Sequence, residues 1–217
     1  MKVLVMGATG GSGRAAMEAL LAQGHEVTAL ARRPQALPPR PGLRVVFGDV
    51  LDAQQVGQAV RGQDAVVVTL GITEPALRVR LSGPRTTRMD VRSAGTRHAL
   101  GAMQQHGVSR LVVLSAFGVG ETRDRLPPLY KLFFAAVLKP QIDDTERQEE
   151  AVRASALAWT LVQPVNLTDE PRDTPPYVSP EGEVRGMRVA RRQVGRVLAE
   201  ALARPEWVRR TVAVSDA

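Results

Sequence analysis

Seven residues near the N-terminus carry the first recognisable chemistry: Gly7-Ala8-Thr9-Gly10-Gly11-Ser12-Gly13. They follow the apolar, β-prone run Lys2–Met6 and lead into Arg14–Gln23, which reads as a helix that stops at Gly24. Such a turn leaves backbone N–H groups unpaired at the positive end of a helix, where a phosphate is held. Gly7 permits a tight turn, Gly10 lets the main chain approach a diphosphate, and Gly13 lets the helix close on the strand. Gly11 lies in the same run, and Thr9 and Ser12 offer hydroxyl donors. The spacing is Gly-x-x-Gly-x-x-Gly, looser than Gly-x-Gly-x-x-Gly. A glycine-rich turn in an α/β protein that binds no nucleotide is the plain alternative.

The tip of the second strand discriminates between dinucleotides. An acid there binds a ribose 2′-hydroxyl and repels a 2′-phosphate, but this chain has Ala31-Arg32-Arg33. A guanidinium supplies permanent charge and paired donors. The sequence therefore predicts NADP(H), with Arg32 the principal contact and Arg33 secondary, unless the pair only caps a basic loop. Asp49, after Gly48 at the end of the third strand, is placed to accept from an adenine amino group, with Val50 lining the adenine pocket. A turn-forming role is the alternative for Asp49. Leu70-Gly71 ends the fourth strand, where small or apolar residues flank the cofactor.

The elements that must position these residues alternate along the chain. Strands are expected at Lys2–Met6, Glu26–Leu30, Leu43–Phe47, Ala65–Leu70, Arg110–Leu114, Trp159–Gln163 and Arg210–Val214, with a short one in Val184–Val189. Further helices are expected at Ala53–Arg61, Thr87–His106, Asp143–Ser155 and Arg192–Ala203. Leu126–Leu138 reads as a helix or helical lid, and the proline-rich Asn166–Glu183 as loop. This order implies an α/β fold, a mainly parallel twisted sheet with helices on both faces, in one domain over 1–217. An apolar share of 44% fills one core, and the absence of cysteine excludes disulfides and thiolate metal sites. No apolar run is long enough for a signal or a membrane span, so a cytoplasmic protein is expected.

The formal charge of +7 is mostly arginine. Arg78, Arg80, Arg85, Arg88, Arg92 and Arg97 form the densest stretch, with Arg85, Arg88 and Arg92 on one helical face. A solvated face is the plain reading, and a field that gathers an anionic cofactor or substrate is the second. The lack of interleaved aromatics disfavours nucleic acid.

An ordered series of segments resembles the atypical short-chain dehydrogenase/reductases, a family with an NAD(P)-binding Rossmann fold, and most of all its flavin reductase (NADPH)/biliverdin reductase B branch. The series comprises Gly7–Gly10, Glu26–Arg32, Gly48–Leu51, Gly62–Val66, His106–Val108, Ser115–Phe117, Asp143-Asp144 and Arg153–Ser155 ahead of Trp159. The resemblance implies that Gly7, Thr9, Gly10, Ser12, Arg32, Asp49, Val50, Leu70 and Gly71 bind NADP and that Ser115 lies beside the nicotinamide. Pro164 falls where that branch has a proline pair followed by His; this chain has Gln163-Pro164-Val165-Asn166 instead. The segment 72–88 is longer than its counterpart. Both departures fall near the acceptor pocket. Related NmrA-like proteins sense the dinucleotide without turning it over, which leaves a sensor as the alternative to an enzyme.

The Tyr-x-x-x-Lys pair of short-chain dehydrogenases is missing, because Tyr130 is followed four residues on by Phe134 and Tyr177 by Glu181. That disfavours alcohol–ketone chemistry driven by a tyrosine acid. A planar conjugated acceptor, a flavin or quinone, delocalises charge and needs no strong acid, so the protein has only to orient it and exclude water. Ser115 would orient the carboxamide or a water, and Asn166 would supply a hydrogen bond, unless each is only a local structural residue. His25, His98 and His106 lack a second ligand at metal spacing. Asp143, Asp144, Glu146, Glu149 and Glu150 read as the solvated face and first turn of a helix. Leu129, Tyr130, Phe133 and Phe134 are candidates for an apolar wall.

Overall fold

The computed structural model describes every residue except Thr73, and every side chain except those of Ala76, Phe133, Phe134 and Ala135. Its strands are β1 (Lys2–Met6), β2 (Glu26–Ala31), β3 (Leu43–Phe47), β4 (Ala65–Val68), β5 (Arg110–Leu114), β6 (Ala158–Pro164), β7 (Asn166–Thr168), β8 (Tyr177–Ser179), β9 (Arg188–Ala190) and β10 (Arg210–Ser215). Its helices are α1 (Gly11–Ala22), α2 (Ala53–Val60), α3 (Ala76–Ser82), α4 (Val91–His106), α5 (Pro128–Phe133), α6 (Lys139–Arg153) and α7 (Arg191–Ala201).

Eight strands form one twisted sheet in the order β3-β2-β1-β4-β5-β6-β10-β8, with β7 and β9 paired separately. Every pairing in the large sheet is parallel except that of β10 with the edge strand β8. The order reverses between β1 and β4, and this crevice at the carboxyl ends is where α/β sheets take ligands. The fold is the Rossmann type, as expected.

Strand composition explains the layering. Residues of β1, β4 and β5 are buried on both faces, so these strands read as continuous apolar runs. Alternation then divides them between two cores. Val3, Val5, Val67 and Val112 pack with α1 and α7, while Leu4, Met6, Val68 and Val113 pack with α2, α4 and Val152 of α6. Helices α1 and α7 approach closely because Gly195 has no side chain to strike the main chain of Ala15.

Several boundaries differ from expectation: β4 ends at Val68, two residues before Leu70, α6 begins at Lys139, four residues before Asp143, and the strand expected in Val184–Val189 is Arg188–Ala190. The glycine turn is itself helical from Gly11, so α1 begins three residues earlier. Helix α4 begins only at Val91, after a short helix, α3, inside the arginine-rich stretch. The Asn166–Glu183 loop contains β7 and β8, each three residues long and too short for periodicity to reveal. Among the described residues, no helix is long and apolar enough to cross a membrane.

Candidate functional site

The carboxyl ends of β1, β2, β4, β5 and β6 open into a cleft of about 970 Å³. The glycine turn forms one wall. Gly7 has φ +90°, and a methyl group on it would meet the Thr69 carbonyl oxygen at 2.7 Å. Gly10 donates to the Gly7 carbonyl at 3.0 Å and caps α1 with extended backbone and no side-chain bond. Gly13 does not line the cleft. It is buried against the Gly7 carbonyl, which a side chain would strike, so it works through packing and not through contact with a ligand. Gly7, Thr9, Gly10, Gly11 and Ser12 all line the cleft.

At the tip of β2, Arg32 and Arg33 are exposed and face the cleft. Arg32 is steadied by its Nη1, which donates to the Thr86 carbonyl at 3.1 Å. Sequence reasoning passed over Arg14, which joins them from α1 and donates to the carbonyls of Thr9 and Ala36, each at 3.2 Å. Glu74 faces the same end, but its carboxylate is committed: it accepts from the Arg85 N–H at 2.8 Å and the Thr86 N–H at 3.1 Å. Those bonds hold its pKa below the ordinary carboxylate value. Asp49 accepts the Leu51 N–H at 3.0 Å, as the turn alternative anticipates, and also lines the cleft with Val50. His98 meets the Val50 carbonyl at 3.0 Å, while the terminal amine reaches His25 at 3.4 Å.

Leu70, Gly71, Ser115, Pro164 and Asn166 line the other half. Ser115 donates its hydroxyl to Glu149 Oε1. Glu149 is 2% exposed and also receives Gln163 Nε2 at 2.7 Å and Arg153 Nη2 at 3.2 Å. The acids of α6 are therefore not one solvated face. Glu149 is tied behind Ser115, and Asp144, 1% exposed, accepts the N–H groups of Arg92 and Ser93 at 3.0 and 3.3 Å, capping α4 from a neighbouring helix. Asn166 is exposed and donates Nδ2 to the Tyr130 hydroxyl at 3.1 Å. Leu129 is 75% exposed and away from the cleft; the side chains of Phe133 and Phe134 lie outside the described residues. The apolar wall comes instead from Leu138, Ile142, Leu167 and Met187.

The arginine stretch also divides. Arg85 and Arg88 precede α4, and Arg88 makes a two-bond pair with Asp90 at 3.0 and 2.7 Å. Arg92 turns inward, half-buried, and donates to the Leu70 carbonyl at 2.7 Å. Burial pushes its guanidinium below the ordinary value, partly offset by Asp144. A second inward arginine, Arg191, starts α7, lies over Gly11 and pairs with Asp169 at 2.6 Å. The sequence reading grouped Arg92 with Arg85 and Arg88 on one helical face and passed over Arg191, because the inward placement of both depends on contacts between distant segments.

No tyrosine, lysine or histidine is among the described residues lining the cleft. What remains is a channel with open main-chain donors and positive charge along one half, and a half around Ser115 that Leu138, Ile142, Leu167 and Met187 make largely apolar, with Arg92 entering it at Leu70.

Residues 7–205 match the family described as NAD(P)H-binding. The chain belongs to that family. Among curated relatives, a (4-alkanoyl-5-oxo-2,5-dihydrofuran-3-yl)methyl phosphate reductase from Streptomyces griseus is 32% identical over 192 residues, covering 85% of this chain and 55% of that protein. The chain spans 32% to 55% of the length of the first curated relatives it matches. A short-chain dehydrogenase/reductase from Veillonella parvula in complex with NADP superposes with TM-score 0.81 at 18% identity, over 99% of this chain and 94% of that one. The anaerobillin reductase ChuY from Escherichia coli O157:H7 gives TM-score 0.77 at 20% identity, over 100% and 97%. At those identities the likeness is one of fold.

Proposed function

We propose that this chain is an NADPH-dependent reductase that passes hydride to a planar conjugated acceptor such as a flavin or quinone. The observation that carries this reading is a dinucleotide-sized cleft without tyrosine, lysine or histidine. Such a site has no side-chain acid suited to protonating an isolated carbonyl. The reductase relative, named for acting on an oxo-dihydrofuran phosphate, supports reduction as the direction of chemistry.

The residues fit the cofactor. The cradle of Gly7 to Ser12 leaves the amino end of α1 open to a diphosphate. Arg14, Arg32 and Arg33 surround the place of a 2′-phosphate, and the acid nearest them, Glu74, is already engaged. Arg191 reaches the diphosphate side from α7. Asp49 and Val50 would hold the adenine, and Leu70, Gly71 and Pro164 the walls toward the nicotinamide. When bound, NADPH supplies two electrons and a proton as hydride and leaves as NADP⁺.

Ser115, with its own proton given to Glu149, presents lone pairs to the cleft and so accepts from the carboxamide N–H. Leu138, Ile142 and Met187 exclude water from the acceptor face, and the balancing proton comes from solvent at the acceptor's far edge. Asn166 is free to hold the acceptor once it leaves Tyr130. Loss of NADPH absorbance on mixing with riboflavin, FMN or naphthoquinone tests the reading. Tight NADP⁺ binding with none of these reduced overturns it and favours a dinucleotide sensor.

A further inference from the structure

The cofactor reading leaves the inward guanidinium of Arg92 without a task. It enters from the first turn of α4 and lies along the end of β4. Its Nη1 is 2.7 Å from the Leu70 oxygen, and a methyl group on Gly71 would sit 3.0 Å from its Nη2. Asp144, the acid behind it, spends its oxygens on the Arg92 and Ser93 N–H groups, the Ser93 hydroxyl at 2.5 Å and Arg147 at 3.8 Å. Among the described residues no carboxylate lies within ion-pair distance of the Arg92 guanidinium, and a cleft-facing cation whose hydrogen bond is to a carbonyl, with the acid behind it committed to other donors, can receive an anion.

Sheet register locates that anion. Val68, the last residue of β4, pairs with Val113, and Leu70 and Ser115 each follow that pair by two residues at the cleft end of neighbouring strands. Helix α4 packs on the opposite sheet face from α1, whose amino end forms the diphosphate cradle. Arg92 thus enters the cleft from the face opposite the helix that carries the cradle. The part of the cleft wall that comes from α6 and the turn before it carries Leu138, Gln141, Ile142 and Thr145, and α6 packs on α4. Thr145 is committed, its hydroxyl donating to the Gln141 carbonyl at 2.8 Å, so the Gln141 side chain is the neutral polar group on that wall, and the one acid behind it, Asp144, is buried and already hydrogen-bonded.

We propose that Arg92, with Gln141, forms an oxyanion subsite at the acceptor end of the cleft, so that the preferred acceptor is a planar conjugated molecule bearing a phosphate or carboxylate. The subsite fixes the acceptor's in-plane orientation against Ser115. It rests on the reductase reading for its substrate but not for its ability to bind an anion.

Two matched pairs test it: riboflavin against FMN, which differ by a phosphate, and naphthoquinone against a naphthoquinone carboxylate. In the native protein the anionic member of at least one pair has a kcat/KM about tenfold higher, as one charge-assisted hydrogen-bond pair supplies. A preference in the flavin pair alone assigns phosphate; in the quinone pair alone, carboxylate. Arg92→Gln brings the ratio close to one, Arg92→Lys leaves it intermediate, and both bind NADP⁺ within about twofold of native by calorimetry. A ratio near one in the native protein, a ratio unchanged in Arg92→Gln, or an equal loss of NADP⁺ affinity overturns the subsite. If Arg92→Gln unfolds at a lower temperature, Arg92→Lys carries the comparison. If no acceptor is reduced, the reductase reading has failed, and calorimetry of FMN against riboflavin on the NADP⁺-loaded protein still decides the subsite: stronger FMN binding that depends on Arg92 upholds it, equal binding ends it.

Discussion

Ser115 and Glu149 are joined hydroxyl to carboxylate, with the serine at the floor of the cleft and the glutamate wholly behind it. The bond settles the direction of the serine's proton. A carboxylate accepts and cannot donate, so the hydroxyl faces away from the cleft and only its lone pairs face in. Ser115→Ala should therefore remove an acceptor for the carboxamide and leave the apolar wall unchanged. About a fivefold to tenfold fall in kcat is expected, with a smaller rise in KM for NADPH, since one neutral hydrogen bond contributes about 1 kcal/mol. Steady-state kinetics check it; a fall in acceptor affinity alone would assign Ser115 to the acceptor instead.

Arg32 is held in place by a main-chain carbonyl and not by an acid, so its charge is available to a phosphate. Arg32→Asp should reduce NADPH affinity by about a hundredfold, combining a lost charge-assisted pair with a new repulsion, and change NADH affinity by less than about threefold. Arg14 and Arg33 retain part of the charge, so Arg33→Gln should have a weaker effect of the same sign. Calorimetry with both dinucleotides gives the ratio directly. Equal losses for NADPH and NADH would move Arg32 away from the 2′-phosphate.

Arg191 presents the contrasting case. It lies over Gly11 at the mouth of the diphosphate cradle, in an ion pair with the exposed Asp169. A diphosphate is common to both dinucleotides. Arg191→Gln should therefore weaken NADPH and NADH alike, about tenfold, while Asp169→Asn, which frees the guanidinium, should tighten both. A loss confined to NADPH would reassign the residue.

The positions of these side chains were unevenly legible in the sequence. The glycine turn and the tips of β2, β3 and β4 could be read because each is local: the residue type and its distance from a strand end fix where it points. Arg92, Arg191, Asp144 and Glu149 could not be read, because each takes its meaning from a contact made by folding. Asp144 and Glu149 lie in a stretch so polar that charge alone argues for solvent, yet α6 turns both inward. Arg85, Arg88 and Arg92 share one face only if the helix is already running at Arg85, and it starts six residues later. Short strands such as β7 and β8 escape any periodic signal.

Glu74 ties the two ends of the α3 excursion together through Arg85 and Thr86, and Thr86 in turn receives Arg32. Its carboxyl pKa is lowered from 4.5, first by the Thr86 N–H bond. A depressed carboxylate contributes stability that is present above the unfolded value and is lost as pH falls through the folded one. Amide exchange in 75–86 should therefore be steady from neutral pH down to about 4.5 and accelerate below it. In Glu74→Gln the segment should exchange fast at every pH. A native protein whose exchange in this segment has no acid limb, after correction for intrinsic rates, would remove Glu74 as the tie.

Arg110 shows how far the sheet depends on one buried cation. Its guanidinium, 9% exposed, donates to the Ala158 carbonyl at 2.5 Å, to Thr160 Oγ1 at 2.8 Å and to the Ala201 carbonyl at the end of α7. It thereby joins β5, β6 and the negative end of a helix, whose last carbonyls have no partner within the helix. Burial pushes its pKa below the ordinary arginine value, to about 10. For a base depressed in the folded state, the unfolded chain binds more protons only between those two values, so stability rises with pH in that window and is flat below it. Arg110→Met should therefore cost about 2–3 kcal/mol from the orphaned acceptors, the gain from removing a desolvated charge being too small to offset it. The cost should be the same at pH 6 and pH 8, both below the folded pKa. Urea unfolding at the two pH values measures it. A cost that grows at the higher pH would mean the guanidinium titrates far lower than its burial implies, and a cost near zero would mean that the carbonyl of Ala201 finds water once the arginine is gone.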